Sequence, residues 1–242
     1  MTVRRRYIDS AAICDASLRF VWDEWDVEST YEPARPEEAE RMAALSRRAN
    51  CALTIGIAEW ILARFEGMDP DPDPALFLQA AWAANIDERY GYEIDIVDAE
   101  WRGPVRGPIS MALTFVLDAL FAEEAGPNSS MNPAWAAHFA RHVLPDTTAF
   151  DAWLAFCLAR FEQLYPVPSA DAADWFAPEA DGGALVPAES LDPDKAFDAA
   201  DTDALIDCFL RGLDPNTNEF LATPAELVEL DFKGTPYRLV RD

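Results

Sequence analysis

The longest helical pattern in the chain covers residues 36–66. Pro36 suits the first turn of a helix, where a backbone N–H would have no partner, and the glutamates after it suit the positive end of the helix dipole. Residues 50–65 are apolar almost all round, as in a helix covered on every side by other elements. Gly67 and an Asp-Pro pair then end the pattern. We therefore predict a mainly α-helical, multi-helix domain with orthogonal or bundle-like packing around a buried central helix, 36–66.

Six further segments carry apolar residues at helical spacing. The predicted helices cover 7–25, 73–86, 109–124, 132–142, 148–164 and 192–211. Apolar and acidic residues alternate over 92–96, which indicates a short exposed strand. The last segment is ambiguous, because Thr223-Pro-Ala-Glu226 has the sequence of a capping box. The alternation over 227–232, a Lys-Gly-Thr turn and the return at 237–240 favour a small C-terminal β-hairpin, and this is our prediction.

These elements predict one domain with a surface connection. Residues 1–165 form its helical core, and 192–242 form a helix and the terminal hairpin packed on the same domain. The intervening stretch, 166–191, is rich in Ala, Asp, Pro and Gly and is predicted to be an acidic surface connection.

One six-residue sequence occurs twice in the chain with a small change. Ile61-Leu-Ala-Arg-Phe-Glu66 is echoed by Cys157-Leu-Ala-Arg-Phe-Glu162. A duplicated helical hairpin would make the protein a helical-repeat scaffold. Convergence of Ala-rich helix ends on similar short sequences is the favoured explanation, because the copies are imperfect and no fixed period supports a repeat. The scaffold remains a second alternative to the function proposed below.

The net charge of the chain limits the classes of molecule that we expect it to bind. The formal net charge is −25, although half of the residues are hydrophobic. Such a surface repels nucleic acids and anionic membranes, so neither is expected as a partner. It attracts basic proteins, although a solvated acidic surface without a specific role is the plain alternative.

The amino-acid composition predicts the cellular compartment of the protein and the type of organism that it comes from. The four cysteines are far apart, form no CxxC motif and lie among apolar neighbours, which predicts buried free thiols in a reducing compartment. Three arginines near the start imitate a signal peptide, but Asp9 and Asp15 interrupt the stretch that follows. We predict a cytoplasmic protein. The 17 arginines against 2 lysines, with abundant alanine, are typical of high-GC bacteria.

Common catalytic signatures are absent from the sequence. It contains no GxGxxG, GK[ST] or GxSxG motif. Its two histidines, His138 and His142, have the i, i+4 spacing of a zinc pair, but Phe139 stands where a metalloprotease has its glutamate. Glu59 and Asp118 lie in apolar helices. Ion pairs with arginines are the favoured explanation for carboxylates in such places, and a catalytic role is the alternative. We predict no cofactor, metal or catalytic residues, and keep a carboxylate- or metal-dependent enzyme using the two histidines as the first alternative.

The most specific candidate is an acidic segment that also carries aromatic residues. Its carboxylates would steer a basic partner, and its aromatic pair would supply contact area. The predicted partner-binding residues are Asp171, Asp174, Trp175, Phe176, Glu179, Asp181, Asp194, Asp198 and Asp201, the last three on one helix face. The function predicted from the sequence is an acidic protein-binding module, an immunity or inhibitor-type protein that neutralises a basic protein by direct contact.

Overall fold

The structure is a computed structural model, and it describes residues 7–8, 13–14, 17–96, 100–121, 131–167 and 182–239. Within these ranges the chain has eight α-helices and no strand. The helices are α1 (Pro36–Ala43), α2 (Arg47–Arg64), α3 (Asp73–Ala84), α4 (Gly103–Phe121), α5 (Met131–Val143), α6 (Thr148–Leu164), α7 (Thr202–Arg211) and α8 (Pro224–Glu229). Single 3-10 turns occur at Glu28–Thr30, Glu88–Tyr90, Ala188–Leu191 and Ala199–Asp201. The predicted mainly α class is confirmed.

Helix α2 is the centre of the fold. It packs against α3, α4, α5 and α6, and every residue over 49–58 is buried. The apolar run in this part of the sequence therefore corresponds to a helix covered on all sides. Four helices, α3 to α6, pack around α2, and this arrangement around one central helix does not favour the helical-repeat alternative.

The prediction of one continuous helix over 36–66 is wrong, because the chain breaks between α1 and α2. Ser46 is the N-cap of α2, and its hydroxyl accepts a hydrogen bond from the Ala49 N–H at 3.3 Å. The Ser46 N–H donates to the Tyr165 carbonyl at 2.9 Å, and the Val167 N–H donates to the Ala44 carbonyl at 2.9 Å. A backbone pairing with a distant part of the chain thus takes up groups that a continuous helix would bond internally.

The predicted C-terminal hairpin is also wrong, because its first half is helix α8. Thr223 and Glu226 form the capping box that the sequence contains, with the Thr223 N–H donating to the Glu226 carboxylate at 2.8 Å. Asp231 then adopts a left-handed conformation, with φ of 58°. The Phe232 N–H donates to the Leu227 carbonyl at 2.9 Å and closes the helix end.

Four further elements differ from their predicted bounds. Residues 92–96 form no strand, and 17–25 form turns and bends rather than helix; most of the earlier part of that predicted helix lies outside the described residues. Helix α4 begins at Gly103, before its predicted start at 109; Pro104 lies in its first turn, where proline is tolerated, and Pro108 lies inside the helix. Helix α7 begins at Thr202 and not at Asp192.

Arginine side chains connect α2 and α6 to their surroundings through backbone carbonyls. Such bonds satisfy carbonyls that have no partner within a helix or turn. They run from Arg47 to Leu120 (3.1 Å), from Arg48 to Gly183 (2.8 Å), from Arg64 to Val143 (3.1 Å) and from Arg160 to Ser190 (2.9 Å). Positive charge is therefore used to hold segments together inside the molecule.

Helix α4 passes a test of length and composition for a membrane span, with a mean hydropathy of 1.2 over a window that is 50% buried. The core helix of a soluble protein passes the same test, and α4 packs against α2, α3 and α5. This packing is compatible with a soluble protein, and a cytoplasmic location stays a prediction.

All four cysteines are free thiols. Cys51 and Cys157 are buried as predicted, and burial raises the pKa of Cys51 to about 12, so its thiol stays protonated. Cys208 is exposed on α7 and Cys14 is half-buried, so the prediction of burial is wrong for these two residues.

Candidate functional site: an acidic surface and an exposed tryptophan

The structure describes only part of the predicted partner-binding segment. Asp171, Asp174, Trp175, Phe176, Glu179 and Asp181 lie outside the described residues. Asp194, Asp198 and Asp201 are described, and all three are exposed. Their predicted common helix face is wrong, because 192–198 is irregular and a 3-10 turn follows it.

Aspartate side chains explain why this stretch is not α-helical. The Asp192 carboxylate accepts from the Asp194 N–H at 3.0 Å, and the Asp198 carboxylate accepts from the Ala200 N–H at 2.9 Å. Such bonds to the backbone two residues on compete with helix formation. Each carboxylate thereby fixes the local turn.

Arg160 holds the same stretch against α6. Its guanidinium donates to the carbonyls of Ser190 (2.9 Å), Asp192 (3.2 Å) and Lys195 (3.3 Å). It also lies 4.2 Å from the centre of the Phe156 ring. The acidic stretch is thus a surface with a fixed backbone.

A second acidic surface, which sequence reasoning missed, lies on residues 17–32, here called the strap. The strap crosses α4 and α5, and aromatic side chains fasten it there. The ring pairs are Phe20 with Phe65 (6.1 Å) and His142 (5.7 Å), Trp22 with Phe139 (6.3 Å), and Tyr31 with Phe115 (5.3 Å) and Trp135 (5.9 Å). The strap is therefore bound to the core along its length.

Between these inward rings, two apolar side chains point to solvent. Val21 is 77% exposed and Trp25 is 91% exposed. Five exposed carboxylates share the strap with them, at Asp23, Glu24, Asp26, Glu28 and Glu32. No Lys, Arg or His occurs over 20–34. Arg19, near the start of the strap, is the exposed cation of this segment, and Trp25 lies in the part that carries only carboxylates as charged groups.

The position of Trp25 is fixed by a turn. The Asp23 carboxylate accepts from the Trp25 N–H at 2.9 Å, and the Asp23 carbonyl accepts from the Asp26 N–H at 3.2 Å. Next to it, the Glu24 carboxylate accepts from the Gly103 N–H at 2.6 Å, which ties the turn to the start of α4. The sequence signal for this turn was an Asp two residues before Trp25, a spacing typical of Asx turns.

The two histidines do not form a metal site with other described residues. His142 Nε2 lies 2.8 Å from the Val21 carbonyl, so this ring helps to hold the strap. His138 Nδ1 is buried without a hydrogen-bond partner, and burial, assisted by Arg141, lowers the pKa of His138. The described part of the chain contains no group of three His, Cys, Asp or Glu placed to hold a metal ion. These contacts give the metal-dependent enzyme alternative no support.

The two carboxylates inside apolar helices also have structural explanations. Glu59 accepts hydrogen bonds from the Trp82 indole (2.9 Å) and the Tyr7 hydroxyl (3.0 Å). Asp118 is exposed on α4, so its carboxylate can be hydrated, although partial desolvation raises its pKa.

We expect Gly107→Ala to release the strap. A Cβ on Gly107 would lie within 2.7 Å of three atoms of the Trp22 indole, so the ring would have to move. Ala is the better helix former by about 1 kcal/mol, but overpacking costs about 1–3 kcal/mol, so the net change is destabilising. Limited proteolysis should show faster cleavage within 17–32. Ser110→Ala, one turn away, is the control, and equal cleavage of both variants would contradict the expected role of Gly107.

No protein-family model matches the chain, no curated protein matches it, and no solved structure matches it. The class defined by the structure is a mainly α-helical acidic protein. Its function has to be inferred from the two surfaces described above.

Proposed function

We propose that the protein is an acidic protein-binding module that neutralises a basic protein partner by direct contact, as immunity proteins and inhibitors do. The observation that supports this proposal is the unequal use of its charges. Several arginines, among them Arg47, Arg48, Arg64, Arg141 and Arg160, are buried or half-buried and bonded within the molecule. The carboxylates of the strap and of Asp194, Asp198 and Asp201 are exposed on the surface.

Two ion-pair clusters illustrate the internal use of positive charge. Arg141 is only 10% exposed in its side chain and contacts Glu38 at 2.6 Å and Asp151 at 2.7 Å. Arg106 bridges Asp69 and Asp71 and stacks on the Trp101 ring at 4.4 Å. Together with the arginines bonded to carbonyls, these contacts direct a large part of the positive charge into the molecule.

Exposed carboxylates occur on two separately fastened stretches, the strap and residues 192–201. A fixed acidic surface attracts a basic partner over about a Debye length and orients it before contact. It also disfavours nucleic acids, which carry the same sign of charge. A protein that must recognise a basic protein among nucleic acids would benefit from both effects.

The test is capture from native lysate at low and moderate salt, followed by kinetics with the purified partner. We expect a basic partner whose association rate constant falls about tenfold or more between roughly 50 and 500 mM salt, because screening weakens steering. The dissociation rate constant should change less. An acidic partner, or association that does not depend on salt, would contradict the proposal.

A further inference from the structure

We propose that Trp25 and Val21 form the apolar centre of a docking surface for a basic polypeptide segment, in which Arg or Lys side chains flank an apolar residue. This inference rests on the proposed function and specifies where on the protein the partner binds and which chemistry it presents.

The first argument is the exposure of Trp25. An indole exposes a large apolar area, and burying it on a partner removes that area from water. At 91% exposed, Trp25 has almost its whole side chain available for this purpose. Tryptophan is also enriched among the residues that dominate binding energies. Val21, at 77% exposed, lies on the same strap and extends the apolar area.

The second argument is preorganisation. The strap is fastened on both sides of Trp25, by Trp22 on Phe139 and by Tyr31 on Phe115 and Trp135. The hydrogen bond from the Trp25 N–H to Asp23 fixes the backbone at the tip. A partner therefore meets a segment that is already ordered, so less conformational entropy is lost on binding.

The third argument is the charge of the strap, which determines the kind of partner that can bind the docking surface. The five carboxylates of the strap would pair with cationic side chains, and the indole face attracts a guanidinium or ammonium group. A second copy of the chain would bring the same acidic strap and be repelled, and an anionic membrane would be repelled likewise. A basic polypeptide segment is the occupant that satisfies both the carboxylates and the indole.

Another exposed apolar area provides a comparison. Val228 is 72% exposed on the short helix α8, between Glu226 and Glu229. It offers a smaller side chain and no cation-binding ring. Val228→Ala therefore removes an exposed apolar side chain of the same protein without touching the strap.

The experiment uses the full chain, labelled with ¹⁵N, and a synthetic peptide of about twelve residues with arginines around a central leucine. The protein has eight tryptophans, and the indole signal of Trp25 is assigned by its loss in Trp25→Ala. We expect the peptide to shift this signal and the amide signals of the strap, and to leave the buried Trp60 indole unchanged. Trp25→Ala should weaken peptide binding about tenfold or more, and Val228→Ala less than about twofold.

The outcomes separate the two proposals. If the peptide shifts residues 192–201 and not the strap, the docking surface is overturned and the proposed function survives. If the arginine peptide does not bind, or binds no better than a peptide with glutamates in place of the arginines, both are overturned. Equal losses in Trp25→Ala and Val228→Ala also overturn the assignment of Trp25.

Discussion

Replacing Arg141 with alanine should lower the free energy of unfolding by about 3 kcal/mol. Arg141 lies on α5 and donates to both Glu38 oxygens, at 2.6 and 2.9 Å, and to Asp151 at 2.7 Å. Its side chain is 10% exposed and that of Glu38 is 17% exposed, so the variant would leave carboxylates without their cation in a largely buried place. Urea unfolding at pH 7 measures the change.

Arg41→Ala is the matched control. Arg41 also joins α1 to another helix, by a pair of hydrogen bonds to Glu162, but both side chains are more than a third exposed. Exposed ion pairs contribute about 0.2–1 kcal/mol, so this variant should lose far less stability. Equal losses in the two variants would mean that burial does not distinguish the two ion pairs.

The ion pairs of Arg141 should also make the free energy of unfolding depend on pH. Burial by itself would raise the pKa of Asp151, but hydrogen bonds from Arg141 and Thr147 outweigh it and lower the net pKa. A carboxyl with a lowered pKa stabilises the fold above its unfolded pKa of about 3.9, and this contribution is lost as the pH falls below that value. The stability difference between wild type and Arg141→Ala should therefore shrink from pH 7 to pH 3.

Phe139→Ala should cost about 3–5 kcal/mol, the range for removing a large aromatic side chain from a core. Phe139 is completely buried, and its ring lies 6.0 Å from Phe115 and 6.3 Å from Trp22. The variant would leave a cavity between α4, α5 and the strap. Thermal and urea unfolding measure the loss.

Trp25→Ala is the aromatic control for this prediction. Because Trp25 is almost fully exposed, its replacement should change stability by less than about 0.5 kcal/mol. A loss similar to that of Phe139→Ala would show that Trp25 packs against the protein in solution. The docking surface would then lose its main support.

Helices covered on most sides could be predicted from sequence alone. The apolar run of α2 and the periodic patterns of α3, α5 and α6 match the described helices closely, since packing and periodicity agree there. The break before α2 could not be predicted in the same way. It depends on the backbone pairing of 44–46 with 165–167, and local residues such as Met42 and Leu45 favour helix on their own.

Two other differences arise where local sequence signals compete. At the C-terminal end, the alternation over 227–232 favours a strand, whereas the capping box of Thr223 and Glu226 forms in the structure and begins a helix. Before α7, Asp192-Pro193 resembled a helix start, but the aspartates bond to their own backbone. Both outcomes depend on hydrogen bonds that hydrophobic periodicity does not describe.

For the candidate site, sequence reasoning identified charge but not Trp25. The exposed positions of Asp194, Asp198 and Asp201 agree with a surface role, and their partner remains a prediction. Trp25 was assigned to the apolar face of a helix, because apolar residues recur at helical spacing over 7–25. In the structure Trp22 and Tyr31 supply the inward contacts, and Trp25 is left outside.

The arginine contacts to backbone carbonyls have a consequence for chemical modification. The side chains that hold α2 and α6 to their neighbours are guanidinium groups, which acylating reagents for amines leave intact. The chain has two lysines, Lys195 and Lys233, and both are exposed. Acetylation or amine coupling at these lysines would add to the negative charge of the surface, while the cations that join the helices would keep their bonds.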